Sequence, residues 1–206
     1  MENVVIKRGS RGEAVKKLQA YLHLQADGVF GANTEEAVKQ YQRSVGLTAD
    51  GIVGKKTWEK MQLTNRFDVS ARSINEIIVH CTATQEGKDF TANDIRKWHQ
   101  SQGWSDIGYH YIVRLDGTIE NGRNVNIAGA HCTGHNTHSI GVVYVGGVSA
   151  DGKTPKDTRT DAQRVALKML LIELKRLYPQ AKIHGHRDFA NKACPSFDAT
   201  NEYKNL

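Results

Sequence analysis

No run of the 206-residue chain is long and apolar enough to cross a bilayer as a helix, which excludes a helical membrane protein. At 39% hydrophobic and 24% charged residues the composition also excludes a disordered chain. Cysteine is scarce. Only Cys81, Cys132 and Cys194 occur, too few to form a disulfide framework, and the odd number leaves at least one thiol free or bound to metal. A basic stripe is missing as well. The 28 Lys and Arg exceed the 22 Asp and Glu for a net charge of +6, yet the excess is shared evenly between the stretches before and after residue 62. Without clustering or a recognisable reading element, this charge argues against a nucleic-acid partner and suits a weak attraction to an anionic polymer. The opening Met1-Glu2-Asn3-Val4-Val5-Ile6-Lys7-Arg8 is charged at once and is not followed by an apolar core with a small-residue cleavage site, so no secretory signal is expected. Histidine is the residue in excess, with nine copies.

The chain contains an internal repeat. Ala26-Asp27-Gly28-Val29-Phe30-Gly31 followed by Thr34 returns 23 residues later as Ala49-Asp50-Gly51-Ile52-Val53-Gly54 followed by Thr57. Each copy reads as an Asp-Gly turn leading to a helix that the Thr caps or opens. Ahead of them, Ser10-Arg11-Gly12-Glu13 has the pattern of a capping box for a helix with Val15, Leu18, Tyr21 and Leu22 on one face. Ala37, Val38, Tyr41 and Val45 supply a second apolar face, and Trp58 and Met61 a short third one. Residues 1–62 are thus expected to form a small three-helix domain. Residues 63–73, polar and aperiodic, are expected to be a linker to a domain spanning 74–206.

That second part alternates strand and helix signals. Ile77-Ile78-Val79-His80 has the look of a buried strand, and Thr91-Ala92-Asn93-Asp94 caps a helix carrying Ile95, Trp98 and His99. Residues 109–114 and Ile119-Glu120 flank Leu115-Asp116-Gly117-Thr118, a hairpin signal. Residues 141–145 read as another strand. Thr160-Asp161-Ala162-Gln163 opens the longest helix, which Pro179 ends before the strand Lys182-Ile183-His184. The pattern predicts an α/β domain, a mixed sheet flanked by helices.

A catalytic zinc takes three protein ligands from separate elements and leaves one position open. His80 at a strand end, His186 just past another, and Cys194 suit that role, although the same positions fit a core histidine, a surface histidine and an inert thiol. Strand alternation sends Tyr109 and Tyr111 to one face and His110 to the other, and turns Cys81 away from His80 into the core. His184 shares a face with His186 if the strand continues through Gly185, which makes it a rival ligand. His131, Cys132, His135 and His138 lie close enough in sequence to raise a structural zinc site, and Cys81 with Cys132 a disulfide.

Two resemblances sharpen this reading. The opening Gly9-Ser10-Arg11-Gly12-Glu13-Ala14-Val15 and both Asp-Gly-x-x-Gly turns resemble the peptidoglycan-binding domain carried by many bacterial and phage wall hydrolases. The stretches His80-Cys81-Thr82-Ala83-Thr84, Ile95-Arg96-Lys97-Trp98-His99, Gln102-Gly103-Trp104-Ser105-Asp106-Ile107-Gly108-Tyr109-His110, Asp116-Gly117-Thr118, Ser139-Ile140-Gly141-Val142 and Lys192-Ala193-Cys194-Pro195-Ser196-Phe197-Asp198 resemble, in order, the zinc amidase family of phage T7 lysozyme and the animal peptidoglycan recognition proteins.

The second resemblance implies N-acetylmuramoyl-L-alanine amidase activity on the bond between muramic acid and the first alanine of the stem peptide. It implies one zinc held by His80, His186 and Cys194, with Tyr109 and Lys192 as the catalytic pair. The pattern Gly185-His186-Arg187-Asp188 favours His186 over His184, and the Gly129-Ala130-His131 loop implies a substrate contact by His131. Zinc would acidify its water and polarise the scissile carbonyl. A thiolate ligand lowers the centre to a formal +1, so Tyr109 and Lys192 are needed as donors to the developing oxyanion. His135 stands where the family often has tyrosine, which bears on stem-peptide preference. A wall substrate without a secretory signal points to an endolysin of phage or prophage type, made in the cytoplasm and released through a membrane pore, with a leaderless bacterial autolysin as the alternative; a monomer bound to peptidoglycan is expected. Two rivals are a binder without catalysis, from which Cys194 discriminates, and a glycosidase using Glu120 and Asp106.

Overall fold

The structure, a computed structural model, describes residues 4–22, 24–62 and 69–206, without the side chains of Ser44 and Gln62. Two units divide the chain, Met1–Arg66 and Phe67–Leu206. In the first, α1 (Glu13–Tyr21), α2 (Ala32–Ser44) and α3 (Lys55–Gln62) enclose Val15, Leu18, Phe30, Val38, Tyr41, Val53 and Met61. The repeat proves to be a glutamine clasp. The amide of Gln19 donates to Asp27 Oδ1 at 2.7 Å, Val29 O at 3.0 Å and Thr34 Oγ1 at 3.2 Å, and its oxygen accepts from Gly28 N at 2.8 Å. Gln42 repeats the set on Asp50, Ile52, Thr57 and Gly51 at 2.8, 3.0, 3.3 and 2.9 Å. Each buried amide therefore ties a helix to the Asp-Gly turn that follows it, satisfying groups that burial would otherwise penalise.

Two capping expectations change accordingly. Thr34 and Thr57 lie inside the first turns of α2 and α3 and serve the clasp rather than the cap. Ser10 does not cap α1 either, since Gly12 occupies that place without a side-chain bond and Ser10 Oγ turns back to Lys7 N at 3.0 Å. The backbone of Ser10 is already committed, its carbonyl accepting from Phe30 N beside the Arg11–Val29 bridge.

The second unit is an α/β fold with a mixed sheet. Its strands are β1 (Glu76–Cys81), β3 (Tyr111–Val113), β4 (Ile119–Asn121), β5 (Ser139–Tyr144) and β7 (Lys182–Gly185), in the order β4-β3-β5-β1-β7, parallel except for β4. A short pair, β2 (Thr84–Gln85) and β6 (Gly147–Val148), stands apart. On one face Ile77, Val79, Ile140, Val142 and Tyr144 pack with Leu167, Leu170 and Leu174 of α5 (Asp161–Leu177). On the other, Ile112, Val143 and Val145 pack with Ile95 of α4 (Ala92–Ser101) and Ile107. Both helices open with the capping boxes read from sequence, Thr91 with Asp94 and Thr160 with Gln163.

The segment expected as a linker falls partly on residues 63–68, outside the described residues. Beyond them Ser70 is buried, its N–H on the Tyr178 hydroxyl at 2.7 Å, and the Arg72 guanidinium donates to the carbonyls of Val125, Asn136, Thr137 and Ser139. Residues 70–73 therefore belong to the second unit. At its other end, Arg159 is buried completely. It pairs with Asp157 at 2.9 Å and Glu202 at 2.8 Å, donates to the Tyr203 hydroxyl at 3.0 Å, and lies 3.2 Å from the centre of the Phe197 ring. This residue ties α6 (Ala199–Glu202) and the stretch after Cys194 to the segment that leads into α5. Among the described residues, no helix is long and apolar enough to cross a membrane.

Candidate metal centre and active site

Alternation along β1 places Ile77, Val79 and Cys81 in the core under α5, so His80 between them faces the opposite side. There it meets His186 and Cys194, and the ligand atoms of the three lie within 4.8 Å of one another, the one such grouping among the described residues. His80 is buried while His186 and Cys194 are half-buried, which leaves an open side to the cluster. Cys194 Sγ is 3.7 Å from His80 Nδ1. Metal–ligand lengths of about 2.0–2.1 Å for nitrogen and 2.3 Å for sulfur, at a tetrahedral angle, call for roughly 3.6 Å. The donor set and this spacing fit zinc.

Local structure explains how distant residues converge. β7 ends at Gly185 and His186 starts a short 3-10 turn, so the strand phase that would have made His184 a rival is broken. His184 instead sits against the Phe189 ring at 5.0 Å and lies 3.8 Å from Asp188. Cys194 is brought in by Arg187 N, which donates to its carbonyl, and by Pro195, whose ring would lie 2.9 Å from any Cβ at Gly185. All three cysteines are free thiols. Cys81 lies in the core as alternation requires, but its backbone N–H reaches Cys194 Sγ at 3.4 Å. The structural-zinc grouping does not assemble: His135 pairs with Glu76 at 2.9 Å and His138 with Ser73 O at 3.2 Å.

Electrostatics around the cluster follow burial. His80 titrates well below the ordinary histidine range because it is desolvated, with His131, His186 and Lys192 adding to the effect. Burial and the Lys192 charge lower His186. Both imidazoles are therefore neutral at pH 7, the form a metal needs. The Cys81 thiol and burial push the Cys194 thiol up, opposed by the Cys81 backbone N–H and the Lys192 charge. Lys192 itself is exposed on the loop before Cys194.

Tyr109 stands beside the cluster, its ring centre 5.2 Å from that of His80, and burial raises its hydroxyl above the ordinary tyrosine value. The expected alternation around it is corrected. β3 begins only at Tyr111, and Tyr109 packs on the α4 side while Tyr111 joins the core under α5. Tyr109 and His110 lie in irregular backbone, where a two-residue period does not hold. His110 is fully buried, accepting from Gly141 N at Nδ1 (2.9 Å) and donating to Ile127 O from Nε2 (3.1 Å), and burial pushes it down to about 4.

His131, expected in the substrate groove, is only 8% exposed and lies 3.1 Å from His80, nitrogen to nitrogen. Its geometry points at the cluster rather than at solvent. His99 is the neighbour that the residue pattern leaves unmarked. Its Nδ1 accepts from Gly108 N at 3.0 Å, and its ring lies between Trp104 at 4.4 Å and Tyr109 at 5.5 Å. His99 lies in α4 and Tyr109 in the irregular stretch beyond it, so no local period signals this contact; only the stretch shared with the amidases hinted at it. The carboxylates a glycosidase would need are occupied elsewhere: Asp106 binds Arg96 at 2.7 Å, and Glu120 binds Ala92 N at 2.5 Å and Arg114 at 3.2 Å.

Comparison with known proteins places both parts of the chain in families. Residues 70–197 match the family described as N-acetylmuramoyl-L-alanine amidase, and residues 11–61 a peptidoglycan binding domain family. The endolysin of Klebsiella phage KP32 is 48% identical over 139 residues, 68% of this chain and 88% of that protein. The endolysin of Escherichia phage T7 is 44% identical over 126 residues, covering 61% and 83%. Among solved structures, the N-acetylmuramoyl-L-alanine amidase LysC from Clostridium intestinale aligns with a TM-score of 0.54 at 30% identity, over 64% of this chain and 82% of that one. With the matched segment spanning sheet, cluster and flanking loops, the chain belongs to the N-acetylmuramoyl-L-alanine amidase family of peptidoglycan hydrolases.

Proposed function

We propose that the chain cleaves the amide between muramic acid and the first alanine of the stem peptide with one zinc held by His80, His186 and Cys194. The observation that carries this is the convergence of two neutral imidazoles and one thiol on an open-sided cluster within 4.8 Å. Zinc bound there supplies a Lewis acid for the carbonyl and acidifies water to a pKa of about 7. The chain's own groups do the rest. Tyr109, whose raised pKa keeps its proton on at neutral pH, donates a hydrogen bond to the oxygen that gains charge. Lys192, whose charge reaches the cluster, stabilises the same oxyanion or passes a proton to the departing amine.

The first unit acts as the tether. Holding an enzyme on an insoluble polymer raises the effective concentration of cleavable bonds without adding a catalytic contact. Its match to a peptidoglycan binding family supports that assignment. Relatives that bear the name endolysin support action on the wall after release from the cytoplasm, and the reading takes the chain to act there as a monomer on peptidoglycan.

The test is digestion of purified walls with free amino termini and reducing ends measured separately. The amidase releases alanine amino groups, and a zinc chelator abolishes that release. Reducing ends alone would indicate a glycosidase, and neither product a binder. Tyr109→Phe is expected to lower amine release by about 10²–10³-fold, the usual effect of removing one oxyanion donor, with zinc affinity unchanged in a competition titration.

A further inference from the structure

Both ring nitrogens of His131 are used inside the fold. Its Nδ1 lies 3.1 Å from His80 Nε2, and its Nε2 lies 3.3 Å from the hydroxyl of Ser139, a fully buried residue. The other nitrogen of His80, Nδ1, is the one turned to Cys194 Sγ at 3.7 Å. A neutral imidazole carries a single N–H. If His80 presents a bare Nδ1 to the ligand cluster, its proton sits on Nε2 and is donated to His131 Nδ1. His131 then carries its own proton on Nε2 and donates it to Ser139.

The His131 ring is also held in place sterically. A Cβ on Gly129 or on Gly141 would lie 2.4 Å from His131 Cδ2, so the imidazole fills a slot that exists only because both residues lack side chains. Its backbone is fixed by Asn136, whose Oδ1 accepts from the N–H groups of His131 and Cys132 at 2.9 and 3.0 Å. A side chain locked in this way cannot reorient toward a passing polymer.

We propose that His131 is a positioning residue for His80, accepting its Nε2 proton and so fixing the tautomer that offers Nδ1 to the metal. This rests on the reading of His80, His186 and Cys194 as zinc ligands. Metal-bound histidines commonly donate their second N–H to a carboxylate, a carbonyl or water. A neutral imidazole as acceptor leaves His80 less anionic than a carboxylate would. That matters at a centre already lowered to a formal +1 by the Cys194 thiolate, because more negative ligands would weaken the Lewis acid further.

The experiment compares His131→Asn with His131→Leu in the full chain. The two side chains are close in size and leave similar space in the slot, but only Asn offers an acceptor near the Nδ1 position. Zinc affinity is measured by competition with a chromophoric chelator, and folding by near-UV circular dichroism of the metal-free proteins. Leu is expected to weaken zinc binding by about 10–100-fold and Asn by only a few-fold. Equal affinities for the two variants would overturn the proposal, as would a Leu variant that keeps wild-type zinc affinity and shows only a raised KM, the signature of a substrate contact. Nitrogen-15 NMR of the wild-type protein needs no variant: His80 should be the Nε2–H tautomer, and an Nδ1–H tautomer would overturn the proposal. Cys194→Ser in the same titration separates the two levels. Undiminished zinc uptake by that variant would defeat the ligand set itself, whereas its loss alongside equal Asn and Leu values would defeat only the role of His131.

Discussion

Replacing Cys194 with serine is expected to abolish zinc uptake and amine release together while leaving wall binding intact. The serine hydroxyl keeps the shape of the side chain but holds its proton at neutral pH, so the anionic ligand is lost and two neutral imidazoles remain. Losing an outer partner of a metal ligand costs about 10–100-fold in affinity, and losing a ligand should cost more. The backbone that brings residue 194 to the cluster stays in place, since Arg187 N binds its carbonyl and not its sulfur. The defect should therefore be chemical. Wall sedimentation reports the first unit, whose core of Val15, Leu18, Phe30, Val38 and Val53 lies within its own residues. Retained activity in Cys194→Ser would reject the ligand set.

The second large effect is structural. Arg159→Leu removes a guanidinium with no solvent exposure from between Asp157 and Glu202, leaving two carboxylates beside Phe197 without their shared partner. Breaking a buried ion pair from one side typically costs about 3–5 kcal/mol. Both carboxylates are partly exposed, at 26% and 39%, and Arg164 still reaches Asp157 at 2.8 Å, which points to the lower end of that range. Urea unfolding of the second unit should report it as a lower midpoint with an unchanged slope. The same network sets an acid limit. The Arg159 and Arg164 guanidinium groups outweigh partial burial and hold the Asp157 carboxyl down at about 2, below the ordinary aspartate range. A depressed folded value means the stabilisation is complete above about pH 4 and fades as the pH falls through about 2. Arg159→Leu should flatten that part of the profile.

The α/β pattern of the second unit was legible because strand and helix periods are carried by consecutive residues. Ile77 to His80 and Lys182 to His184 are short apolar runs, and the Thr91 and Thr160 boxes mark helix starts through purely local bonds. Contacts made at a distance were not legible in the same way. Gln19 and Gln42 are polar residues in helices, and nothing next to them announces that each closes a buried clasp on a turn eight residues away. Ser10 satisfied the local rule for a cap, and the Arg11–Val29 bridge overrode it. Tyr109 was assigned to a strand phase that begins two residues later. Arg72 and Ser70 looked like linker because their partners, at positions 125 to 139 and 178, are far along the chain.

The cluster itself needed both kinds of information. Residue type alone left His80, His186 and Cys194 open to bland readings, and the resemblance to the amidases chose among them. Convergence in space is what ties that choice to this chain. His131 was marked by motif alone for the groove, and its burial, the glycine slot and its contact with His80 are features that no local pattern in the sequence announces.

Zinc K-edge X-ray absorption on the metal-loaded chain tests the central claim most directly. The predicted inner shell contains one sulfur at about 2.3 Å and two imidazole nitrogens at about 2.0–2.1 Å. A shell with no sulfur, or with two, would contradict it.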